Sequence, residues 1–90
     1  MKLNERDIEQ ELVTKCLLAG GECRKVNWLG RRGAPDRIVM LPRAQAIWVE
    51  LKAPGKRPEP HQAREHDRMR AMGQRVEVID SLEGVAALFK

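Results

Sequence analysis

Apolar residues near the N-terminus recur with the spacing of one face of an α-helix. Ile8, Leu12, Val13, Cys16 and Leu17 form this set. Side chains three or four residues apart lie on the same stripe of a helix, which we expect to be buried. Asn4 is a favourable N-cap, and a pair of glycines follows the apolar stripe, which is typical of a helix end. The pattern predicts a first helix that is capped by Asn4 and reaches about residue 19.

The rest of the chain alternates between strand-like and helix-like segments. Short runs rich in β-branched and aromatic residues indicate strands, and a short turn between the second and third runs indicates a hairpin. A proline suited to a first helical turn opens a second helix, and an Asp-Ser pair can cap a third. The predicted strands are 23–28, 36–41, 46–52 and 75–79, and the predicted later helices are 60–73 and 84–89.

The order of these elements, αβββαβα, predicts the fold class. A helix followed by three strands and then a β–α return favours an α/β fold with one mixed sheet flanked by helices. Residues 53–60 cannot form regular structure because they contain three prolines and a glycine. No internal repeat is visible, so we expect residues 1–90 to form a single domain.

Charge is distributed unevenly along the chain. The formal net charge is +4, yet residues 24–57 contain nine Lys and Arg and only two acids, Asp36 and Glu50. A basic segment in an otherwise acidic chain is typical of a phosphate-rich partner, although a solvated basic face explains the charge equally well. Carboxylates inside a phosphate-binding surface repel the ligand unless a cation lies between them, so these two acids require an explanation.

Composition excludes several other classes of protein. Hydrophobic residues make up 42% and charged residues 33%, as in a soluble globular domain. Two Trp, one Phe and no Tyr are too few for the base-stacking platform of single-strand binders. Cys16 and Cys23 give neither a disulfide framework nor a structural zinc site. No apolar run approaches the length of a membrane span, and the N-terminus lacks a signal-peptide pattern, so we expect no membrane association and a cytoplasmic location.

The third predicted strand carries a distinctive polar pair. Because side chains alternate along a strand, Trp48, Glu50 and Lys52 share one face. An acid and an ammonium two residues apart indicate either a salt bridge at the end of the sheet or an acid and a base directed at one site. Asp36 opens the second strand, where it is either a turn residue or a neighbour of Glu50 across the hairpin. Two carboxylates at adjacent strand ends within a basic surface predict a site for a hard divalent cation.

The first helix offers a third carboxylate. Glu5 and Glu9 both fall on the apolar stripe, where a Glu side chain turns outward, is protonated or meets a cation. Glu9 has apolar neighbours on both sides and less freedom to turn outward, so we favour Glu9 over Glu5 as the third member of the site.

The second predicted helix places Gln62 and His66 on one face. We expect His66 at the partly buried rim of this helix. Elsewhere on the helix, basic and acidic residues alternate in a pattern typical of a solvated face with ion pairs. These residues are Arg64, Glu65, Asp67, Arg68 and Arg70. Arg31 and Arg32, in the loop that leads to Asp36, are better suited to binding phosphate than to a structural role.

A sequence signature links the two carboxylates. Pro35-Asp36 is followed, after thirteen residues, by Glu50-Leu51-Lys52. This arrangement resembles the PD-(D/E)xK signature of nucleases, which is a loose pattern by itself. Additional matches elsewhere in the chain make it more specific.

Together with Glu9, Gln62 and the glycine-containing loop before the signature, nearly the whole chain is similar to the VRR-NUC subgroup of these nucleases. The resemblance implies a restriction-endonuclease-like fold and an endodeoxyribonuclease that depends on Mg²⁺ or Mn²⁺ and recognises DNA structure. Small standalone members occur in bacteriophages and bacteria and resemble Holliday junction resolvases that act as homodimers. The implied partners are therefore branched DNA, such as a four-way junction, and a second copy of this chain. The implied setting is DNA repair or recombination in a bacterial or phage-infected cell.

The resemblance also implies roles for individual residues. The implied catalytic residues are Asp36, Glu50, Lys52 and Gln62, with Gln62 near the lysine or the scissile phosphate. The implied metal ligands are Glu9, Asp36, Glu50 and the carbonyl of Leu51. The residues expected to bind DNA are Arg31, Arg32, Lys56 and Arg57.

Two alternatives stay open at the level of sequence. One is a non-catalytic DNA-binding module of the same fold, which the intact Asp36, Glu50 and Lys52 argue against. The other is a nuclease subunit that acts on linear duplex or flap DNA, which the sequence does not separate from a junction nuclease.

Overall fold

A computed structural model describes residues 2–90 of the chain. Its elements are α1 (Glu5–Leu18), β1 (Glu22–Lys25), β2 (Arg37–Met40), β3 (Ile47–Leu51), α2 (Pro60–Ala71), β4 (Arg75–Ile79) and α3 (Leu82–Ala87). The predicted αβββαβα order is confirmed, and β4 has the predicted bounds. None of the helices within residues 2–90 combines the length and the apolar character that a membrane span requires.

The four strands form one mixed sheet in the order β1-β2-β3-β4. The pairings β1–β2 and β2–β3 are antiparallel, and the pairing β3–β4 is parallel. The β2–β3 pair is the predicted hairpin, and α2 lies in the crossover that a parallel pair requires. The predicted α/β class, with one mixed sheet flanked by helices, is confirmed.

The first three strands are shorter than predicted. β1 ends at Lys25, and Trp28, beyond its end, donates a hydrogen bond from Nε1 to Glu65 at 2.8 Å. β2 begins one residue after Asp36, whose side chain accepts a hydrogen bond from the backbone of β3. Trp28 and Asp36, both predicted to lie within strands, thus lie just outside them and make side-chain contacts with residues distant in sequence.

Two helices begin at side-chain caps. In α1 the side chain of Asn4 accepts the N–H of Asp7 at 2.9 Å, and Asp7 accepts the N–H of Asn4 at 3.0 Å, which forms a capping box. α3 begins at Leu82, two residues earlier than predicted, because Ser81 is its N-cap and accepts the N–H of Gly84 at 2.9 Å. The caps satisfy backbone donors that the helices leave unpaired.

One face of the sheet carries the apolar core. Side chains of β2 and β3 that point to this face, Val39 and Val49 among them, are fully buried together with Ile8 and Leu12 of α1. α3 adds Val85 to the same cluster. The buried cluster consists of Ile8, Leu12, Cys16, Val39, Ile47, Val49, Leu51, Ile79, Val85 and Leu88. Burial of these side chains provides the main hydrophobic stabilisation of the fold.

The opposite face of the sheet is covered by α2, and it buries ionisable side chains as well as the apolar Val76 and Met69. Alternation along β3 directs Glu50 away from Val49, toward Gln62 of α2. The buried polar or charged side chains found within residues 2–90 are Glu50, Glu65 and His66, and all three lie between this face and α2 or on α2 itself. The fold therefore separates an apolar face from a face with buried ionisable groups.

The connection from β3 to α2, residues 52–59, lacks regular structure, as its prolines predicted. A turn within it is closed by a hydrogen bond from the N–H of Lys56 to the carbonyl of Ala53 at 3.0 Å. The N–H of Gly55, whose φ is +81°, donates to Asp80 at 3.1 Å. These bonds attach the loop to the end of β4 and leave Lys56 and Arg57 exposed.

Candidate active site

Asp36 and Glu50 lie next to each other where β2 begins and β3 ends. Pro35 is fully buried and fixes the approach to β2. Asp36 Oδ2 accepts the backbone N–H of Leu51 at 2.7 Å, which ties it to the residue that follows Glu50. The Glu50 side chain is only 2% exposed, and the Asp36 carboxylate is close enough to act on its charge. The structure brings the two carboxylates together.

Lys52 and Gln62 complete a hydrogen-bonded group with Glu50. Lys52 Nζ lies 2.9 Å from Gln62 Oε1 and 3.4 Å from Glu50 Oε2. Gln62 Nε2 donates to Glu50 Oε2 at 3.2 Å. Gln62 Oε1 also accepts the N–H of Glu59 at 2.8 Å, at the start of α2. The amide of Gln62 therefore fixes both charged groups of β3 from the first turn of α2.

Glu50 is held in an environment that opposes its charge. Burial raises the pKa of Glu50 to about 7, the neighbouring Asp36 carboxylate acts in the same direction, and Lys52 opposes both. Glu50 Oε2 has partners, whereas Oε1 is buried and has no hydrogen-bond partner within the part of the chain that the structure describes. An unsatisfied buried carboxylate oxygen costs stability unless a further group satisfies it.

His66 lies on the other side of Glu50. Its Nε2 is 3.7 Å from Glu50 Oε1, beyond hydrogen-bond distance, and is likewise buried without a partner. Burial, followed by the charge of Arg70, lowers the pKa of His66, so the ring is uncharged at neutral pH. The side chain is 1% exposed, so the predicted position at the rim of the helix is wrong.

The donor set of Asp36 and Glu50 fits a hard divalent cation. The two carboxylates are neighbours, and one oxygen of Glu50 is buried with no hydrogen-bond partner among residues 2–90. Mg²⁺ and Mn²⁺ prefer oxygen ligands and are commonly held by one or two carboxylates. The backbone of Leu51 runs between Glu50 and Lys52, and the role of its carbonyl stays a prediction.

Glu9 is engaged elsewhere in this structure. Its Oε2 accepts a hydrogen bond from Arg37 Nε at 2.9 Å on the α1 side of the sheet. Within residues 2–90, no group of three or more His, Cys, Asp or Glu side chains is close enough to hold a metal ion. The structure thus brings Asp36 and Glu50 together without Glu9, and Glu9 as a metal ligand stays a prediction. Glu5 is exposed in the first turn of α1.

The residues expected to bind DNA lie in two loops beside the carboxylates. Lys56 and Arg57 are exposed in the loop that joins Lys52 to α2. Arg31 donates to Glu65 of α2 at 2.7 Å. Exposed Arg32, next to it, approaches the α2 side chain of His61, with 3.5 Å between Nη2 and Nδ1.

Glu65 is buried, although its sequence pattern predicted an exposed position. The solvated position predicted for this residue is wrong, because only 6% of its side chain is exposed. Its position three residues after Gln62 indicates burial beside Gln62, since residues three apart lie on the same side of a helix. Gln62 and His66 were already assigned to one face, and Glu65 belongs beside them.

Comparisons with known proteins identify relatives over most of the chain. No family model matches the chain. The chain is 48% identical over 79 residues to "Putative nuclease p44" of Acyrthosiphon pisum secondary endosymbiont phage 1. This alignment covers 88% of this chain and 85% of that protein. A solved structure described as "VRR_NUC domain" matches with a TM-score of 0.87 and 38% sequence identity, over 94% of this chain and 92% of that chain.

The class of protein follows from these relatives. The chain shares 48% of the aligned residues with a protein named as a putative nuclease and 38% with a solved VRR_NUC domain of the same fold, so its class is that of the nucleases. The family follows from the same relative and from the shared fold: the chain belongs to the VRR-NUC nucleases. The resemblance found in the sequence is confirmed.

Proposed function

We propose that this VRR-NUC protein is a metal-dependent endonuclease that hydrolyses phosphodiester bonds in branched DNA. The observation that carries the proposal is the Glu50 carboxylate, which is buried beside Asp36 with one oxygen unpartnered. Lys52 and Gln62 hold its other oxygen. Two carboxylates that need a cation, next to a fixed ammonium, form a group suited to phosphate chemistry.

Asp36 and Glu50 would hold Mg²⁺ or Mn²⁺ through their carboxylate oxygens. When bound, such an ion lowers the pKa of a coordinated water and stabilises negative charge on the phosphate. We propose the Leu51 carbonyl and Glu9 as further ligands. Glu9 must release Arg37 to take this role, and its partial exposure of 32% leaves it room to do so.

Lys52 would act on the reacting water or on the phosphate. Its Nζ is held at 2.9 Å by Gln62, so the ammonium is positioned before substrate arrives. A fixed ammonium orients the attacking water or neutralises the charge that develops on the phosphate. Lys52 deprotonates the water only if it first loses its own proton and acts as the neutral amine. Gln62 contributes by keeping Lys52 and Glu50 in a constant relation.

We propose a four-way junction as the substrate and a homodimer as the active form. Arg31, Arg32, Lys56 and Arg57 supply positive charge for contacts to backbone phosphates, which are independent of sequence. A four-way junction is resolved by two symmetry-related nicks, and a two-fold dimer presents two copies of one site in that relation. The phage origin of the 48% identical relative supports a role in DNA repair or recombination in the cytoplasm of a bacterial or phage-infected cell.

A cleavage assay tests the proposal. Wild-type protein and Lys52→Ala are incubated with a four-way junction, a flap and a linear duplex, each with Mg²⁺, Mn²⁺ or EDTA. We expect paired, symmetrical nicks in the junction by wild type with metal, and none with EDTA or with Lys52→Ala. Sedimentation of the free protein and of its junction complex tests the dimer.

Each contrary outcome selects another function. Faster cleavage of the flap or the linear duplex than of the junction would make the protein a nuclease for those substrates. Junction binding by wild type without cleavage in either metal would make it a non-catalytic DNA-binding module. A complex that contains one protein copy per junction would contradict the homodimer.

A further inference from the structure

Glu65 is a buried carboxylate that gathers hydrogen-bond donors from two parts of the chain. Its Oε2 accepts Trp28 Nε1–H at 2.8 Å, and its Oε1 accepts Arg31 Nη2–H at 2.7 Å. Arg68, one turn further along α2, donates to the same Oε1 from Nε at 3.1 Å and has Nη2 2.9 Å away. One carboxylate therefore holds two guanidinium groups.

Both guanidinium groups are still accessible from solvent. The side chains of Arg31 and Arg68 are 54% and 53% exposed, although their shared partner is buried. Arg31 reaches Glu65 through one nitrogen, and a guanidinium carries five N–H donors in a fixed fork. Two positive charges share one negative charge, so the group is net positive and has donors left for a ligand.

The charge of Glu65 is secured by these contacts. Burial acts to raise its pKa, but hydrogen bonds from Arg68 and Trp28 and the charge of Arg31 together lower the pKa below its usual value. Glu65 is therefore ionised at neutral pH and serves as a permanent anchor for both arginines.

Close packing fixes the loop that carries Arg31. Gly33 has a φ of +94°, and a Cβ at this position would lie 2.8 Å from Glu65 Cβ and 2.9 Å from the carbonyl oxygen of His61. Only glycine allows the loop to approach α2 this closely. Arg31, two residues earlier, is thus delivered to Glu65 by a constrained backbone.

We propose that Glu65 holds Arg31 and Arg68 as a paired clamp for a phosphate of the DNA backbone. Guanidinium forks match the geometry of phosphate oxygens, and a pre-organised pair loses less conformational freedom on binding than two free side chains. Glu65 follows Gln62 by three residues on α2, so the clamp lies about one helical turn from the group around Glu50. The inference rests on the proposed function; it adds Arg68 to the DNA-binding residues and makes Glu65 a positioning residue.

The salt dependence of DNA binding tests the clamp. Binding of a four-way junction is measured by fluorescence anisotropy at several salt concentrations, with Ca²⁺ in place of Mg²⁺ so that the DNA stays intact. Arg68→Ala is expected to weaken binding about tenfold and to reduce the slope of log K against log salt by about 0.9, the contribution of one phosphate contact. An unchanged slope would overturn the clamp.

Arg75→Ala is the matched control. Arg75 forms an exposed ion pair with Glu77 at 3.1 Å and pairs with Ile47, at the opposite end of β3 from Lys52. The control removes the same charge from the protein but far from the clamp, so its slope should equal that of wild type. An equal loss of slope in both variants would show a general charge effect and would also overturn the clamp.

Glu65→Gln separates positioning from simple charge. The substitution removes a negative charge, so charge alone predicts tighter DNA binding. Loss of the shared anchor predicts weaker binding and no further loss when Arg68→Ala is added. Tighter binding would overturn the positioning role, and a circular-dichroism melt shows whether the variant is folded. If it is not, Glu65→Asp keeps the charge but shortens its reach, and binding weaker than wild type supports positioning, whereas wild-type binding overturns it.

The clamp and the nuclease proposal fail in different measurements. Wild-type protein that binds the junction but leaves it uncut with Mg²⁺ and Mn²⁺ would overturn the proposed function and leave the clamp standing. Wild-type protein that cuts the junction, with Arg68→Ala binding as tightly as wild type, would overturn the clamp alone.

Discussion

The two faces of the sheet are built in opposite ways. The face covered by α1 and α3 is packed with apolar side chains such as Leu12 and Val49, which have no exposed surface. The face covered by α2 buries Glu50, Glu65 and His66, at a cost in desolvation that only specific partners offset. The first face therefore stabilises the fold. The second face holds charged groups in fixed positions, and their desolvation lowers the net stability that the first face provides.

The two buried acids of the face covered by α2 differ from each other as well. Glu65 is surrounded by donors, and its pKa is lowered; Glu50 has an unpartnered oxygen, and its pKa is raised to about 7. Both oxygens of Glu65 have hydrogen-bond partners within the protein, whereas one oxygen of Glu50 has none within residues 2–90. This unsatisfied oxygen is the difference on which the proposed metal site at Glu50 depends.

The largest expected effect is on catalysis and comes from the face covered by α2. Lys52→Ala should lower the rate of junction cleavage by at least about 10³-fold, roughly 4 kcal/mol in the barrier, because it removes a fixed positive charge beside the phosphate. Binding should stay within a few-fold, because arginines supply most phosphate contacts. Single-turnover cleavage with Mg²⁺ and a gel shift with Ca²⁺ measure the two effects.

Lys15→Ala is the control for that comparison. Lys15 is an exposed lysine on α1, 4.0 Å from Glu11, and its removal should leave cleavage and stability close to wild type. Complete loss of junction binding by Lys52→Ala would show that Lys52 binds DNA. The prediction that the α2 face acts on the chemical step would then be contradicted.

A core substitution on the apolar face should change stability instead of chemistry. Leu12→Ala should lower the free energy of unfolding by about 3 kcal/mol, because it removes buried surface and leaves a cavity. For a domain of this size the melting temperature should fall by roughly 12 to 24 °C. Leu17 was predicted to belong to the buried stripe of α1, but this is wrong because its side chain is 64% exposed near the end of the helix. Leu17→Ala should therefore change stability by less than about 0.5 kcal/mol. Equal losses of the two variants in a thermal melt would contradict the buried position of Leu12.

Glu50→Gln should stabilise the metal-free protein at high pH. The pKa of Glu50 is raised from 4.5 to about 7 in the folded protein, so the folded state binds a proton more readily than the unfolded chain. The free energy of unfolding of wild type therefore falls as pH rises from about 4.5 to about 7. Without this cost, Glu50→Gln should be more stable by about 3 kcal/mol at pH 8 in EDTA, and the difference should vanish near pH 4.

Added metal should stabilise wild type and Glu50→Gln to different extents. Wild type should gain about 1.4 kcal/mol when Mg²⁺ or Mn²⁺ is present at roughly ten times its dissociation constant, and Glu50→Gln should gain less. Asp36→Asn should behave similarly, because it also removes one of the two repelling charges. Thermal melts across pH, at fixed ionic strength, test both statements. A variant that is less stable than wild type at pH 8, or that gains as much from metal, would contradict them.

The smallest expected effect concerns a cap on the apolar side. Ser81→Ala should lower the free energy of unfolding by about 1 kcal/mol, because the N–H of Gly84 at the start of α3 loses its acceptor. Ser81→Asp keeps an acceptor and should retain most of the stability. Urea denaturation resolves the two variants, and equal losses would show that the cap contributes nothing.

Local patterns predicted the fold and the position of the carboxylates well. Alternation along β3 placed Glu50 and Lys52 on one face, and the hairpin placed Asp36 beside them, because strand geometry depends only on nearby residues. The resemblance to nucleases placed Gln62 near Lys52, where the structure has it at 2.9 Å. The metal-binding and catalytic roles of these residues stay predictions.

Sequence patterns do not predict contacts between residues that are distant along the chain. Glu9 was assigned to the apolar face correctly, but nothing local indicates that Arg37 of β2 is its partner. Glu65 looked like a solvated helix residue, because its donor Trp28 lies 37 residues away along the chain. Which charges meet, and which are buried by a docked loop, depends on the assembled fold and not on periodicity.

The hydrogen bond between Glu59 and Gln62 at the start of α2 has a consequence for protein engineering. Gln62 accepts the N–H of Glu59 at 2.8 Å with the same oxygen that holds Lys52, so the helix start and the position of the lysine are fixed by a contact local to α2. Residues 53–58 lie outside that contact, and the hydrogen bonds found for them within residues 2–90 are those of Gly55 and of the turn at Ala53. Added length in this segment would leave Gln62 next to Lys52, but it would displace Lys56 and Arg57, so an insertion there separates the proposed DNA contacts from the group around Glu50.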